Sequence, residues 1–254
     1  MANGPVSLES IVSPFVSMLI YGKPGVGKTV FGGGSQVFRT FIFDVDKGTL
    51  SLASSKTSQR LTANGYPPIH KELIKAWPVS TYSDFEEGLR WFIANEKQFD
   101  LVLIDTGTEL QRMLVDEIMR KNKHVIPDQR DWGMALTSME YLTRTLRDMR
   151  KHVIMLAHET YSTDQQTLIT THYPNFKGQF AKDYAKHFSV IARYMMIDQQ
   201  IRNPDGTMAS QTLRFLNCHP DPMSDAKDRS SSLEKYELPI LDNVMSKILS
   251  AIQG

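Results

Sequence analysis

Gly22-Lys23-Pro24-Gly25-Val26-Gly27-Lys28-Thr29 follows directly on the apolar residues Phe15, Val16, Met18, Leu19, Ile20 and Tyr21. The octapeptide satisfies the spacing G-x-x-x-x-G-K-[ST], and a buried strand leading into it supplies the strand-loop-helix order that a phosphate-binding loop requires. Gly22, Gly25 and Gly27 let the backbone take conformations that side chains disfavour. Successive amide N–H groups then point at one anion, at the positive end of the helix that follows. Lys28 adds a mobile ammonium for the β- and γ-phosphates, and the hydroxyl of Thr29 is a ligand for a Mg²⁺ bridging the same two groups.

Working outward, Thr40 to Phe43 reads as a second buried strand that delivers Asp44 and Asp46 to its carboxyl end. The helix after the phosphate loop is expected to be short or frayed, because Gly32, Gly33 and Gly34 are poor helix residues. The stretch 54–69 is polar and broken by Gly65, Pro67 and Pro68, which reads as loop. Helical spacing covers 82–97, and the apolar run Leu101 to Ile104 ends in Asp105. Helical patterns then cover 110–119 and about 132–150, on either side of a basic turn at Pro127. A strand Val153 to Ala157 ends at His158, a polar Thr-rich stretch runs to Tyr173, and a helix is expected over 179–187. Alternating segments 190–197 and 211–216 flank Asn203-Pro204-Asp205-Gly206 and read as a hairpin; a last helix covers 241–252. Helices alternating with short apolar strands predict an α/β fold, a mostly parallel central sheet with helices on both faces and a C-terminal β-hairpin. Ligands in such a sheet sit at the carboxyl ends of the strands.

The chain has 254 residues, 41% of them hydrophobic, enough for one large core. Residues 1–14, with Gly4, Pro5 and Pro14, read as an arm, and 15–254 as a single domain. Lys and Arg total 29 against 28 for Asp and Glu, so the net charge of +1 gives no general push toward DNA or membrane. Cys218 is the single cysteine, which excludes an intramolecular disulfide and a Cys-based zinc cluster. No apolar stretch approaches the roughly 18 residues of a bilayer span. A soluble, cytoplasmic protein without a membrane partner is expected.

Asp105, closing its apolar strand, has the form of the acid that holds Mg²⁺ through water; a helix N-cap is the alternative for an aspartate there. Hydrolysis also needs a group that orients or deprotonates water. Asp46 is the first candidate, with Asp44 and Glu109 as alternatives, and each could equally serve as a cap. His158, at a strand end beside the γ-phosphate position, is a candidate phosphate sensor, or a histidine satisfied within the fold.

Together the phosphate loop, Asp44-Val45-Asp46, Leu101 to Thr106, Gln129-Arg130-Asp131-Trp132-Gly133, Ala157-His158 and Lys227-Asp228-Arg229 resemble the phage-encoded, core-only RecA-like ATPases of the Sak group. The resemblance spans roughly residues 15 to 250. It implies a RecA-like P-loop NTPase core with a further strand between those carrying the two nucleotide motifs. It also implies ATP and Mg²⁺ as ligands, recombination or annealing on single-stranded DNA, and the bacterial host cytoplasm. Asp46 matches the place of a catalytic glutamate, one methylene longer; His158 matches the sensor. Lys227 and Arg229 match paired basic residues that reach the ATP of a neighbouring subunit, which implies a homo-oligomer, filament or ring, with ATP at the interface. A single-strand-binding protein is a further candidate partner. Two loops of such folds face the DNA. Their counterparts here are Arg120, Lys121, Lys123, His124 and Arg130 in one, and Tyr161, Thr170, Thr171, His172, Tyr173 and Lys177 in the other.

The residues lead to an ATPase, and the resemblance implies one that depends on DNA. The alternative is a nucleotide-gated oligomeric switch or assembly factor that does not bind DNA. A small-molecule kinase would need an arginine-rich lid, which the chain does not resemble.

Overall fold

A computed structural model describes residues 13–202 and 207–253. Nearly all of the expected arm and the turn at 203–206 therefore lie outside the described residues. The strands are β1 (Ser17–Gly22), β2 (Thr40–Asp44), β3 (Ile74–Pro78), β4 (Leu101–Asp105), β5 (His152–Thr163), β6 (Thr170–Pro174), β7 (Val190–Arg202), β8 (Met208–Asn217), β9 (Lys227–Asp228) and β10 (Tyr236–Glu237). The helices are α1 (Lys28–Gly33), α2 (Leu50–Ala53), α3 (Ser55–Ala63), α4 (Tyr82–Asn95), α5 (Gly107–Asn122), α6 (Gln129–Asp148), α7 (Phe180–Asp183) and α8 (Leu241–Gln253).

Across the sheet the order is β10-β8-β7-β1-β5-β4-β2-β3, with β9 beside β7 and β6 beside β5. From β7 to β3 the neighbours are parallel, while β8, β9 and β10 join antiparallel. β5 thus separates the strand entering the phosphate loop from the strand ending in Asp105, the arrangement that the RecA resemblance implies.

Strand alternation sorts the core into two layers. Leu19, Tyr21, Phe41, Phe43, Val102, Ile104, Val153 and Met155 face α4, α5 and α6, where Phe85, Phe92, Leu110, Leu114, Met139, Leu142 and Leu146 meet them. Met18, Ile20, Ile42, Leu101, Leu103, Ile154 and Leu156 face α1, α2 and α8, against Phe31, Leu52, Val244, Met245 and Ile248. Complete burial of a side chain such as Phe92 contributes about 2 kcal/mol. α1 is six residues long, as its glycines suggest, and they have a packing reason. A Cβ on Gly32 would stand 2.7 Å from Leu103 and one on Gly33 2.6 Å from Leu52, so the helix lies tight between sheet and α2.

Three segments differ from the sequence reading. Residues 54–69 are loop only from Asn64 onward, because α3 occupies Ser55–Ala63, started by Ser54, whose hydroxyl accepts from the Thr57 amide. None of its residues is buried, so no apolar stripe announced it. β3 is an edge strand with every residue at least partly exposed, and its closing Pro78 is tolerated there because no further neighbour needs an N–H. The Thr-rich stretch after His158 is a ribbon in which β5 continues to Thr163 and pairs with β6. Threonine and tyrosine favour such exposed strands.

The segment Gln129 to Gly133 is a helix start. Asp128 and Asp131 form a reciprocal capping box, and Asp131, fully buried, also accepts from Asn122 and lies 2.7 Å from Nδ1 of His124. Among the described residues no helix is long and apolar enough to cross a membrane.

Candidate nucleotide site

The phosphate loop leaves β1 at Gly22 and turns through Gly25 and Gly27, whose φ angles of 77° and 115° suit glycine. β7 and β8 support the loop from below. A Cβ on Gly27 would stand 3.0 Å from the Tyr194 hydroxyl, and Arg214 Nε donates to the Val26 carbonyl at 3.3 Å. Lys28, 7% exposed, folds back and donates to the carbonyls of Gly22 and Lys23 at 2.8 and 2.9 Å. Burial lowers its pKa, against the pull of Asp105, Asp46 and Glu159. The exposed residues Lys23, Pro24 and Gly25 form the open rim.

Thr29, one residue into α1, donates its hydroxyl to Oδ2 of Asp105 at 2.6 Å. Asp105 is 2% exposed, and burial raises its pKa to about 6, with Asp46 and Asp44 adding to the rise while Thr29 and Lys28 oppose it. A hydroxyl and a buried carboxylate in contact are a donor set suited to Mg²⁺, a cation that takes oxygen ligands. The space beside them depends on Gly48, where a Cβ would stand 2.7 Å from Asp105 Oδ2 and 2.9 Å from Thr29 Oγ1. The residues present therefore fit the ion.

Residues 44–49 form a loop stitched onto β4. The amides of Val45 and Asp46 both donate to the Asp105 carbonyl, at 2.8 and 2.9 Å. The three acids proposed for water activation separate here. Asp44 accepts from the Thr49 hydroxyl at 2.5 Å, so it closes its own loop. Glu109 is held by Arg112, whose guanidinium keeps its carboxyl below the usual range. Asp46 keeps a side chain 43% exposed, and its Oδ2 lies 3.2 Å from Nε2 of His158. His158 is aligned with Gly22 across the β1–β5 pair.

Lys227 and Arg229 lie elsewhere. β9 pairs with Val190 and Ile191, the first residues of β7, whereas the phosphate loop adjoins Tyr194, toward the opposite end of the strands. Lys227 Nζ donates to the carbonyls of Ala185 and Phe188 in its own chain, and Arg229 is exposed.

The two groups of candidate DNA residues are not simple loops. Arg120 and Lys121 stand on the last turn of α5, both paired with Glu117, and Lys123 is the left-handed cap of that helix. Arg130 is in the first turn of α6. Tyr161 and Tyr173 are on the β5–β6 ribbon, Tyr161 being 66% exposed. Lys177 is exposed in a segment pinned to α5, where Gln111 bonds both its amide and its carbonyl. That segment adjoins α6, since a Cβ on Gly178 would stand 3.2 Å from the Trp132 ring.

Sequence reasoning missed a polar network behind the loop. Arg193 donates to Glu159 at 3.1 Å and to Ser224 at 3.2 Å, and the Tyr21 hydroxyl donates to the carbonyls of His172 and Asp225. Tyr184 donates to the Asp225 carboxylate. The signal was a charged residue inside each of two otherwise apolar stretches, Glu159 just after Val153 to Ala157 and Arg193 within Val190 to Ile197, which only the fold brings together.

Fold and site define a P-loop protein of the α/β class with a RecA-like strand order. A family model described as an AAA domain matches residues 15–230, and the chain belongs to that family. No curated protein matches it. Among solved structures it is similar to the KaiC-like protein PH0186 from Pyrococcus horikoshii OT3, at 9% identity and a TM-score of 0.41, over 79% of this chain and 76% of that one. It is also similar to the flagellar accessory protein FlaH from Methanocaldococcus jannaschii, at 9% identity and a TM-score of 0.35, over 84% and 86%.

Proposed function

We propose that the protein is a Mg²⁺-dependent ATPase that works on single-stranded DNA in phage recombination or annealing, as a homo-oligomer with ATP between subunits. The observation that carries the ATPase part is the contact of Thr29 with Asp105 beside the buried Lys28. Residues 22–29 would wrap the phosphates with backbone N–H groups, and Lys28 would exchange its two loop carbonyls for β- and γ-phosphate oxygens. Thr29 and Asp105 would hold Mg²⁺, which offsets charge on those oxygens. Asp46 would take the proton of the attacking water, and His158 stands beside it. Because Arg229 lies toward the far end of the sheet, it would serve the nucleotide of a neighbouring copy, with Lys227 fastening β9 in place.

The DNA part of the reading rests on the exposed Lys177 and Tyr161 with Arg130, Lys123 and Tyr173, cations for phosphates and rings for stacking. Pairing of Arg120 and Lys121 with Glu117 favours the second reading, an oligomeric nucleotide switch that leaves DNA alone. ATP hydrolysis measured with and without a single-stranded oligonucleotide separates them. Stimulation that fades steeply with salt is expected. Hydrolysis indifferent to the oligonucleotide selects the switch, and no triphosphate binding by calorimetry refutes both.

A further inference from the structure

His158 carries two ring nitrogens in unlike surroundings. Nδ1 is buried and has no hydrogen-bond partner among the described residues, while Nε2 lies 3.2 Å from Oδ2 of Asp46. A carboxylate oxygen is an acceptor, so a hydrogen on the nitrogen nearer to it has a group to approach. A second hydrogen on Nδ1 would bury a charged donor with nothing to receive it, a larger penalty than an idle lone pair. Both surroundings favour a hydrogen on Nε2 over one on Nδ1.

The ring also has a firmer base than the acid. His158 donates its amide to the Thr108 hydroxyl at 3.1 Å, accepts at its carbonyl from Asn175 at 2.8 Å, and sits within the β1–β5 ladder. Asp46 is on a loop and exposed, and among the described residues no other side chain hydrogen-bonds or ion-pairs with its carboxylate. Lys47, next to it, takes the left-handed φ of 56°. Glu109, the other acid near the ring, is occupied by Arg112.

We infer, resting on the ATPase reading above, that His158 is a positioning residue for Asp46. Its Nε2–H holds Oδ2, so that Oδ1 is turned to the attacking water. Oδ1 then accepts one proton of the water as its oxygen bonds to the γ-phosphorus and the bond from phosphorus to the bridging oxygen of ADP breaks. His158 keeps its hydrogen throughout. A contact of this kind tightens when substrate completes the site.

The test has two arms on the full chain. Histidine ¹⁵N–¹H correlation of the nucleotide-free protein, with His158 assigned by its loss in His158→Gln, is expected to show hydrogen on Nε2 and a bare Nδ1. In hydrolysis assays His158→Gln places an amide N–H where Nε2 stands and should keep kcat within about threefold. His158→Asn reaches only the place of Nδ1, and it should lose about 100-fold along with His158→Ala. Triphosphate affinity by calorimetry should stay within about twofold in all three, whereas a pure phosphate sensor would shift it. Asp46→Ala combined with His158→Ala should be no slower than Asp46→Ala alone. Hydrogen on Nδ1, equal loss in the Gln and Asn variants, or additive losses would overturn the inference while leaving the ATPase reading intact. A wild-type protein that hydrolyses nothing would remove that reading, and this role with it.

Discussion

The hydroxyl of Thr29 donates to Oδ2 of Asp105 across 2.6 Å, joining the first turn of α1 to the end of β4 although β5 lies between β1 and β4. If this pair holds the proposed Mg²⁺, charge at this point should be indispensable and shape alone insufficient. Asp105→Asn keeps the shape and removes the charge. Hydrolysis should fall about 100-fold or more, and calorimetry should lose the gain in triphosphate affinity that Mg²⁺ brings. A variant with unchanged Mg²⁺ dependence would contradict the assignment of Asp105.

Gly48 leaves space beside Thr29 and Asp105, since a Cβ there would crowd both oxygens of the proposed cation site. Gly48→Ala is expected to keep its circular dichroism spectrum while weakening Mg²⁺–triphosphate binding about tenfold, or ~1.4 kcal/mol. Equal affinity of the two proteins would show that the ion sits elsewhere.

Lys28 and Arg229 lie toward opposite ends of the strands. Neither Lys28→Ala nor Arg229→Ala should hydrolyse ATP alone. Mixed subunits should recover part of the rate, because an intact Lys28 site can then meet an intact Arg229 from a neighbour. A mixture inactive at every ratio would argue that Arg229 does not act across subunits.

Lys227 should matter for stability. Its ammonium holds the Ala185 and Phe188 carbonyls, and burial lowers its pKa. Lys227→Ala should cost about 2 kcal/mol in urea unfolding, against less than about 0.5 kcal/mol for the exposed Arg229→Ala.

His152 gives the fold an acid limit. It is 8% exposed, accepts from the Val16 amide at Nδ1, and has its pKa lowered by burial to about 4 from 6.5, against the opposing pull of Asp100. The unfolded chain binds the proton more readily, so stability is fully present above pH 6.5 and is lost as pH falls toward 4. Thermal melts across that window should show a loss of about 3 kcal/mol for the wild type, flattened in His152→Asn, whose carbonyl can still accept from Val16.

Much of the architecture was legible because it is written in strong local signals. The phosphate loop is a fixed spacing, β1, β2 and β4 are unbroken apolar runs, and Asp105 closes one of them. What stayed hidden lacks such signals. α3 buries none of its residues, β3 is a half-exposed edge, and the β5–β6 ribbon is polar on both faces near its tip. The choice among Asp44, Asp46 and Glu109 depended on Thr49, His158 and Arg112, partners that spacing along the chain does not rank. Gly48 carries no motif at all; only its neighbours in space give it meaning.

The Asp105 carbonyl receives two amides, those of Val45 and Asp46. The residue proposed to hold the ion and the acid proposed to activate water are therefore joined through one peptide group. Under the proposed function, any shift of Asp105 toward a bound cation would pass through those two amides to the 44–49 segment.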